Sequence, residues 1–174
     1  MSVVTADQQE ILRQQIADIE RQEASCVLPE LTNDTAFELG SLIRSQFLES
    51  FNPSQDGIVI SISLFSGHTL FSCAVGNPRK VAADNWDWVA RKANTVRRFG
   101  LSSYLVGRTR LLKGKDLDGL GPEYAAHGGG FPIRIKGMTA GPVGVIVVSG
   151  LKQEDDHDLI IRAIHKLLAK HQSS

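Results

Sequence analysis

The chain has 174 residues, 42% of them hydrophobic, with 19 basic and 19 acidic side chains, a composition that supports one well-formed core and is too short for two, so residues 1–174 are expected to form a single domain. No apolar run reaches the length of about 18 residues that a bilayer span needs, and the Gln-rich, acidic beginning lacks the basic and apolar regions of a secretory signal, which predicts no membrane association and a cytoplasmic protein. A pI near 7.0 with two tyrosines indicates no nucleic-acid module, and Cys26 and Cys73, far apart and in no CxxC or CxxCH arrangement, encode neither a zinc site nor covalent heme attachment.

Thr5-Ala-Asp-Gln8 has the spacing of a capping box, and Ile11, Leu12, Ile16 and Ile19 follow at helical period. This first amphipathic helix should end near Ala24, ahead of Pro29, making residues 1–32 a helical extension on a core at 33–171. Asn33 or Asp34 can cap a second helix with Phe37, Gly40, Ile43 and Phe47 on one stripe. From Ile58 the period changes to two, and with the Ser66-Gly67 turn and the β-rich residues 68–75 this reads as a hairpin. A third helix starts at Asp84 or Asn85, places Trp86, Val89, Ala90, Ala93 and Val96 on one side, and ends at Gly100.

A short strand is expected at 103–107, a polar loop at 113–121, and strands at 131–136 and 143–149, the last apolar on both faces as a central strand should be. The closing helix, 153–171, buries Ile160, Ile161, Ile164, Leu167 and Leu168, each contributing about 1.5–3 kcal/mol when fully buried. The element order α-α-β-β-α-β-β-β-α predicts an α+β fold: a five-stranded antiparallel sheet with helices packed on its faces.

Charge is unevenly placed. Residues 1–57 hold 3 basic and 10 acidic side chains, residues 58–115 hold 10 and 2, and residues 116–174 hold 6 and 7. The first segment should therefore lie against the middle one, within a chain or between chains, or the middle segment should offer a cationic face to an anion. Arg91, Lys92, Arg97 and Arg98, with Arg79, Lys80, Arg108 and Arg110 around them, could clamp carboxylates or phosphates; a solvated face or ion pairs to the first segment or a second subunit is the alternative. Ser102, Ser103 and Tyr104 add hydroxyls. His127 precedes three glycines, Gly128, Gly129 and Gly130, which permit close approach of backbone or ligand. His157 follows Glu154, Asp155 and Asp156, which at a helix start favour the positive end of its dipole more than they favour a metal. Neither GxGxxG, GxxxxGK[ST] nor GxSxG is present, so nucleotide binding and serine hydrolysis lack their fingerprints.

Two blocks together resemble a known family. Trp88-Val-Ala-Arg-Lys-Ala-Asn-Thr95 with Arg98-Phe-Gly100, and Gly129-Gly-Phe-Pro-Ile133 with Val148-Ser-Gly150 and the acidic turn at 153–157, are similar to the heme-degrading-domain superfamily of GlcG-like and HbpS-like proteins, in an intracellular branch of it. The likeness covers about residues 33–170. It implies a profilin-like α+β domain that assembles as a homodimer or larger homo-oligomer, and binding or breakdown of heme or another anionic tetrapyrrole. Val75-Gly-Asn-Pro78 stands where GlcG-type relatives carry Asp-Gly-Ala, which weakens transfer of their ligand site. A non-covalent heme needs an axial donor and partners for its propionates. The expected ligand-binding residues are His127, Gly128, Gly129, Gly130, Arg91, Lys92, Arg98 and Ser102, with His127 and His157 as metal ligands and no catalytic set. A non-catalytic oligomeric scaffold or protein-interaction module is the competing expectation.

Overall fold

The computed structural model describes residues 5–172, with the side chain of Gln172 left out. Thr5 caps α1 (Ala6–Ser25) as its sequence requires: its hydroxyl accepts the Gln8 N–H at 3.3 Å and the Gln8 side chain accepts the Thr5 N–H at 2.9 Å. Thr32, one residue ahead of the expected caps, starts α2 (Asn33–Ser50) by accepting the Thr35 N–H at 3.0 Å. Between them Val27–Leu28 forms β1, too short to show any period in the sequence.

The hairpin follows as β2 (Gly57–Leu64) and β3 (Thr69–Gly76), with a register shift at Ile62/Ser63. The third helix, α3 (Ala83–Phe99), ends at Gly100, whose left-handed backbone (φ 66°) lets its N–H reach the Val96 carbonyl at 2.8 Å. The strand expected at 103–107 is instead a helix, α4 (Ser103–Leu112), because the Ser102 hydroxyl accepts the Leu105 N–H at 3.1 Å and sets a helical first turn. β4 (Gly130–Ile135), β5 (Gly144–Ser149) and α5 (Gln153–Gln172) complete the chain.

The strands lie in the order β1-β4-β5-β2-β3. The sheet has five strands as expected but is mixed: β1 runs parallel to β4, with Val27 opposite Arg134 and Leu28 opposite Ile135, while the other pairs are antiparallel. One face of the sheet, with Ile58, Ile60, Ile62, Phe131, Ile146 and Val148, packs in one cluster with Leu39, Ile43 and Phe47 of α2 and Leu159, Ile160 and Ile164 of α5. The opposite face, with Val59, Val145 and Val147, packs against Val89 and Val96 of α3. Period two on β2 and β5 thus divides the core between two helical layers.

Two expected stripes change in detail. Phe37 is 65% exposed and meets Phe71 edge-to-face at 6.1 Å between ring centroids, while Leu39 turns inward in its place. On α3, Trp86 and Ala90 are exposed, and the buried positions besides Val89 and Val96 are polar: Lys92 and Thr95. The acidic first segment does lie against the middle one. Ile19 of α1 packs with Tyr104 and Leu105 of α4, and the Glu23 carboxylate accepts the Ser102 N–H at 2.7 Å.

Candidate functional site

Lys92 is 3% exposed, beneath the loop that leads into β4. Its ammonium donates to Asp156 Oδ2 and to the Val148 carbonyl, both at 3.0 Å. The space exists because residue 129 has no side chain: a Cβ there would lie 2.7 Å from Lys92 Nζ and 2.9 Å from Asp156 Cβ, and the backbone has φ 111°, a conformation that favours glycine. Asp156, 2% exposed in the first turns of α5, accepts the Leu151 N–H at 3.1 Å with its other oxygen. One carboxylate therefore fastens α3 to the turn that opens α5. Burial pushes the Asp156 carboxyl up and the Lys92 ammonium down, and their mutual attraction opposes both shifts.

His127 sits beside this pair. Its carbonyl accepts the Ser103 hydroxyl proton, and that same hydroxyl accepts the Gly130 N–H at 2.9 Å, so α4 fixes both ends of the glycine run. The Trp88 ring stands edge-on to the imidazole, with centroids 5.1 Å apart and planes at 85°; the Arg91 guanidinium covers Trp88 at 4.8 Å while its Nε donates to the Tyr124 carbonyl at 3.2 Å. Burial lowers the His127 pKa below the ordinary histidine value; Asp118 opposes this, and the cations Lys92, Arg91 and Arg108 reinforce it. The ring is neutral at pH 7, and its Nδ1 is buried without a hydrogen-bond partner.

Above these groups lies a cavity of about 410 Å³, lined by Trp88, Lys92, His127, Gln153 and Asp156 with Asn85 at its side. Its size falls in the range of small-molecule sites, roughly 300–1,000 Å³. Gln153 accepts the Gly128 N–H at 3.3 Å through Oε1, which turns the amide nitrogen of the same side chain over to other partners.

The expected residues separate into two groups. Lys92, His127 and Gly128 line the cavity, Gly129 and Gly130 are buried behind Gly128 and do not line it, and Arg91 buttresses Trp88. Arg98 is directed elsewhere, stacking on Tyr124 at 4.8 Å and on Phe99 at 5.2 Å. Ser102 is fully buried as the α4 cap and does not line the cavity. His157 is not brought together with His127: it is 3% exposed, lies against the rings of Tyr104 (5.0 Å) and Phe131 (5.8 Å), and donates from Nε2 to Gln22 at 3.1 Å. Burial depresses its pKa to about 4, so it is a neutral core side chain. Among the described residues no group of three or more His, Cys, Asp or Glu is placed to hold a metal ion. Trp88 and Gln153 stand in the two blocks that carry the family resemblance, and Asn85 at an expected helix start, but none of the three is among the expected ligand-binding residues. Trp88 and Lys92 nevertheless stand four apart on α3, on one helix face, a spacing that could have linked them.

Fold and cavity together define a profilin-like α+β domain with a polar pocket between α3, the glycine loop and the start of α5. The chain belongs to the family described as haem degrading protein HbpS-like, whose model matches residues 31–165. It is similar to a UPF0303 protein of Brucella canis, 38% identical over 159 residues that cover 87% of this chain and 86% of that protein. Among solved structures it resembles the Ybr137w protein (TM-score 0.80, 32% identity, 98% of this chain and 99% of that one) and, at the level of fold, the PduOC:heme complex (TM-score 0.59, 19% identity, 78% and 93%).

The family description raises the question of heme. His127 offers a neutral imidazole and Lys92 a cation, which match an axial position and a propionate. The macrocycle itself is a broad apolar disc, and around this cavity only Trp88 and Leu151 carry large apolar side chains. The residues of this chain by themselves therefore do not fit a whole heme.

Proposed function

We propose that this protein binds an anionic small molecule in the His127 cavity, with a carboxylate or similar oxyanion directed at Lys92. The observation that carries the reading is the buried ammonium. Lys92 has three N–H donors; Asp156 and Val148 take two, and among the described residues no protein acceptor takes the third, on a side chain that lines the cavity. The amide nitrogen of Gln153 adds donors, the neutral His127 ring supplies a second polar contact, and Trp88 gives the ligand body a flat wall. In this reading the protein works in the cytoplasm as a homo-oligomer.

A second reading, heme or another tetrapyrrole at the same cavity, is favoured by membership of the HbpS-like family and by the heme complex of a protein of the same fold. It requires a further apolar wall, of the kind a second copy of the chain would supply. One experiment separates the two: hemin titration followed at the Soret band for wild type and His127→Ala, beside mass spectrometry of small molecules released from the purified protein. A carboxylate released from wild type and absent from His127→Ala, with no saturable Soret shift, supports the first reading. A saturable shift that disappears in His127→Ala replaces it with the second, and neither ligand would overturn both.

A further inference from the structure

The structure holds a second concavity, of about 420 Å³, between the end of α3 and the end of α4. Its apolar wall includes Phe99 and Leu101, which remain 39% and 37% exposed although both are large hydrophobic side chains. Its rim carries Arg98, Arg110, Lys113 and Lys115, and no acidic residue lines it. Among the described residues none of the four cations has a carboxylate within ion-pair distance, so the acidic first segment does not neutralise them.

This rim is built rather than incidental. The helix α4 closes with a Schellman pattern in which the Gly114 N–H reaches the Leu111 carbonyl and the Lys115 N–H reaches the Arg110 carbonyl, both at 2.9 Å, with Gly114 at φ 67°. Lys113 and Lys115 are thereby held on either side of the turn. Arg110 donates from Nε to the Asp116 carbonyl at 2.8 Å, and Arg98 is stacked between Phe99 and Tyr124. Two guanidinium groups fixed by such contacts lose little freedom on meeting an anion.

We propose that this groove is a binding site for an amphipathic anion: a small carboxylate with an apolar body, the body against Phe99 and Leu101 and the carboxylate on the cationic rim. The apolar wall sets this class apart from a bare phosphate, and four unpaired cations set it apart from a neutral lipid. The site is separate from the His127 cavity and shares no lining residue with it.

Calorimetric titration of the full chain with octanoate tests the proposal, with octanol and acetate as probes that keep only the apolar body or only the charge. Octanoate should bind saturably, and octanol and acetate each at least about tenfold more weakly. Removing two exposed cations in Lys113→Gln/Lys115→Gln should weaken octanoate by about twofold to thirtyfold, the loss expected for two exposed charge contacts. Leu101→Asp, which places a carboxylate on the apolar wall, should abolish binding, and His127→Ala should leave it unchanged. Failure of wild type to bind octanoate, equal binding of octanol, or an unchanged affinity in the double lysine variant overturns the proposal. Loss of binding in His127→Ala would also overturn it by assigning the ligand to the other cavity.

Discussion

Replacing Lys92 by Met tests the Lys92–Asp156 pair most directly. The substitution preserves much of the side-chain volume and leaves the Asp156 carboxyl, 2% exposed, with backbone N–H donors but no cation. Removing one partner of a buried pair costs about 3–5 kcal/mol, whereas replacing both by neutral groups is often nearly neutral. Lys92→Met should therefore lose about 3–5 kcal/mol in urea unfolding followed by circular dichroism at pH 7, and Lys92→Met/Asp156→Asn, whose amide oxygen can still accept the Leu151 N–H, should recover most of it. The deficit also has a sign in pH. Burial already holds the Asp156 pKa above its ordinary value, to about 6, and Lys92 is the largest influence lowering it. Without Lys92 the carboxyl rises further, stays protonated in the fold at mildly acid pH, and loses stability as pH climbs through that value. The single variant should thus be closer to wild type at pH 5 than at pH 8. A single variant as stable as the double, or a deficit independent of pH, would refute the account of a buried, coupled pair.

Other consequences are equally measurable. His157, depressed to about 4, contributes stability that is fully present above its ordinary value of 6.5 and is lost as pH falls through about 4, with a slope approaching about 1.4 kcal/mol per pH unit. Asp156 works in the opposite direction over part of that range, so the contribution is read as the difference between wild type and His157→Gln in unfolding curves from pH 4 to 8, which should narrow toward pH 4. Gly129→Ala combines a left-handed φ with a Cβ 2.7 Å from Lys92 Nζ and should cost more than about 1 kcal/mol in chemical denaturation while weakening any ligand of the His127 cavity. Ser102→Ala removes the α4 cap and should cost about 0.5–2 kcal/mol, seen as a lower Tm.

Most of the layer arrangement was legible in the chain because it rests on period and punctuation. Alternation from Ile58, two-sided apolarity in β5, the Thr5 capping box and Gly100 all act through neighbours in sequence, and the structure places them as read. What escaped depends on distant partners. Val27 and Leu28 become a strand only because β4 lies beside them, and that pairing makes the sheet mixed. Residues 103–107 have β-favouring composition, yet Ser102 caps a helix there and Glu23 of α1 fixes that cap. The same holds for the site. The glycines after His127 signalled close approach, but the group that approaches is the protein's own Lys92, reached through a 64-residue separation from Asp156 that no spacing rule encodes. His157 looked available beside its carboxylates because a helix start is usually wet; the two rings and α1 that enclose it come from elsewhere in the chain.

The helix α1 lies outside the span that the family model matches, and its polar side chains reach into the body of the domain: Gln22 takes the His157 Nε2 proton and Glu23 takes the Ser102 N–H. A chain beginning at residue 32 would keep the apolar seams between α2, α3, α5 and the four longer strands, but would leave a buried imidazole and a helix cap each facing an empty acceptor position. Proteolysis that clips α1 should accordingly act as a release catch for α4, and through the Ser103 hydroxyl for the His127 loop, so that cleavage far from the cavity changes how firmly His127 is held beside it.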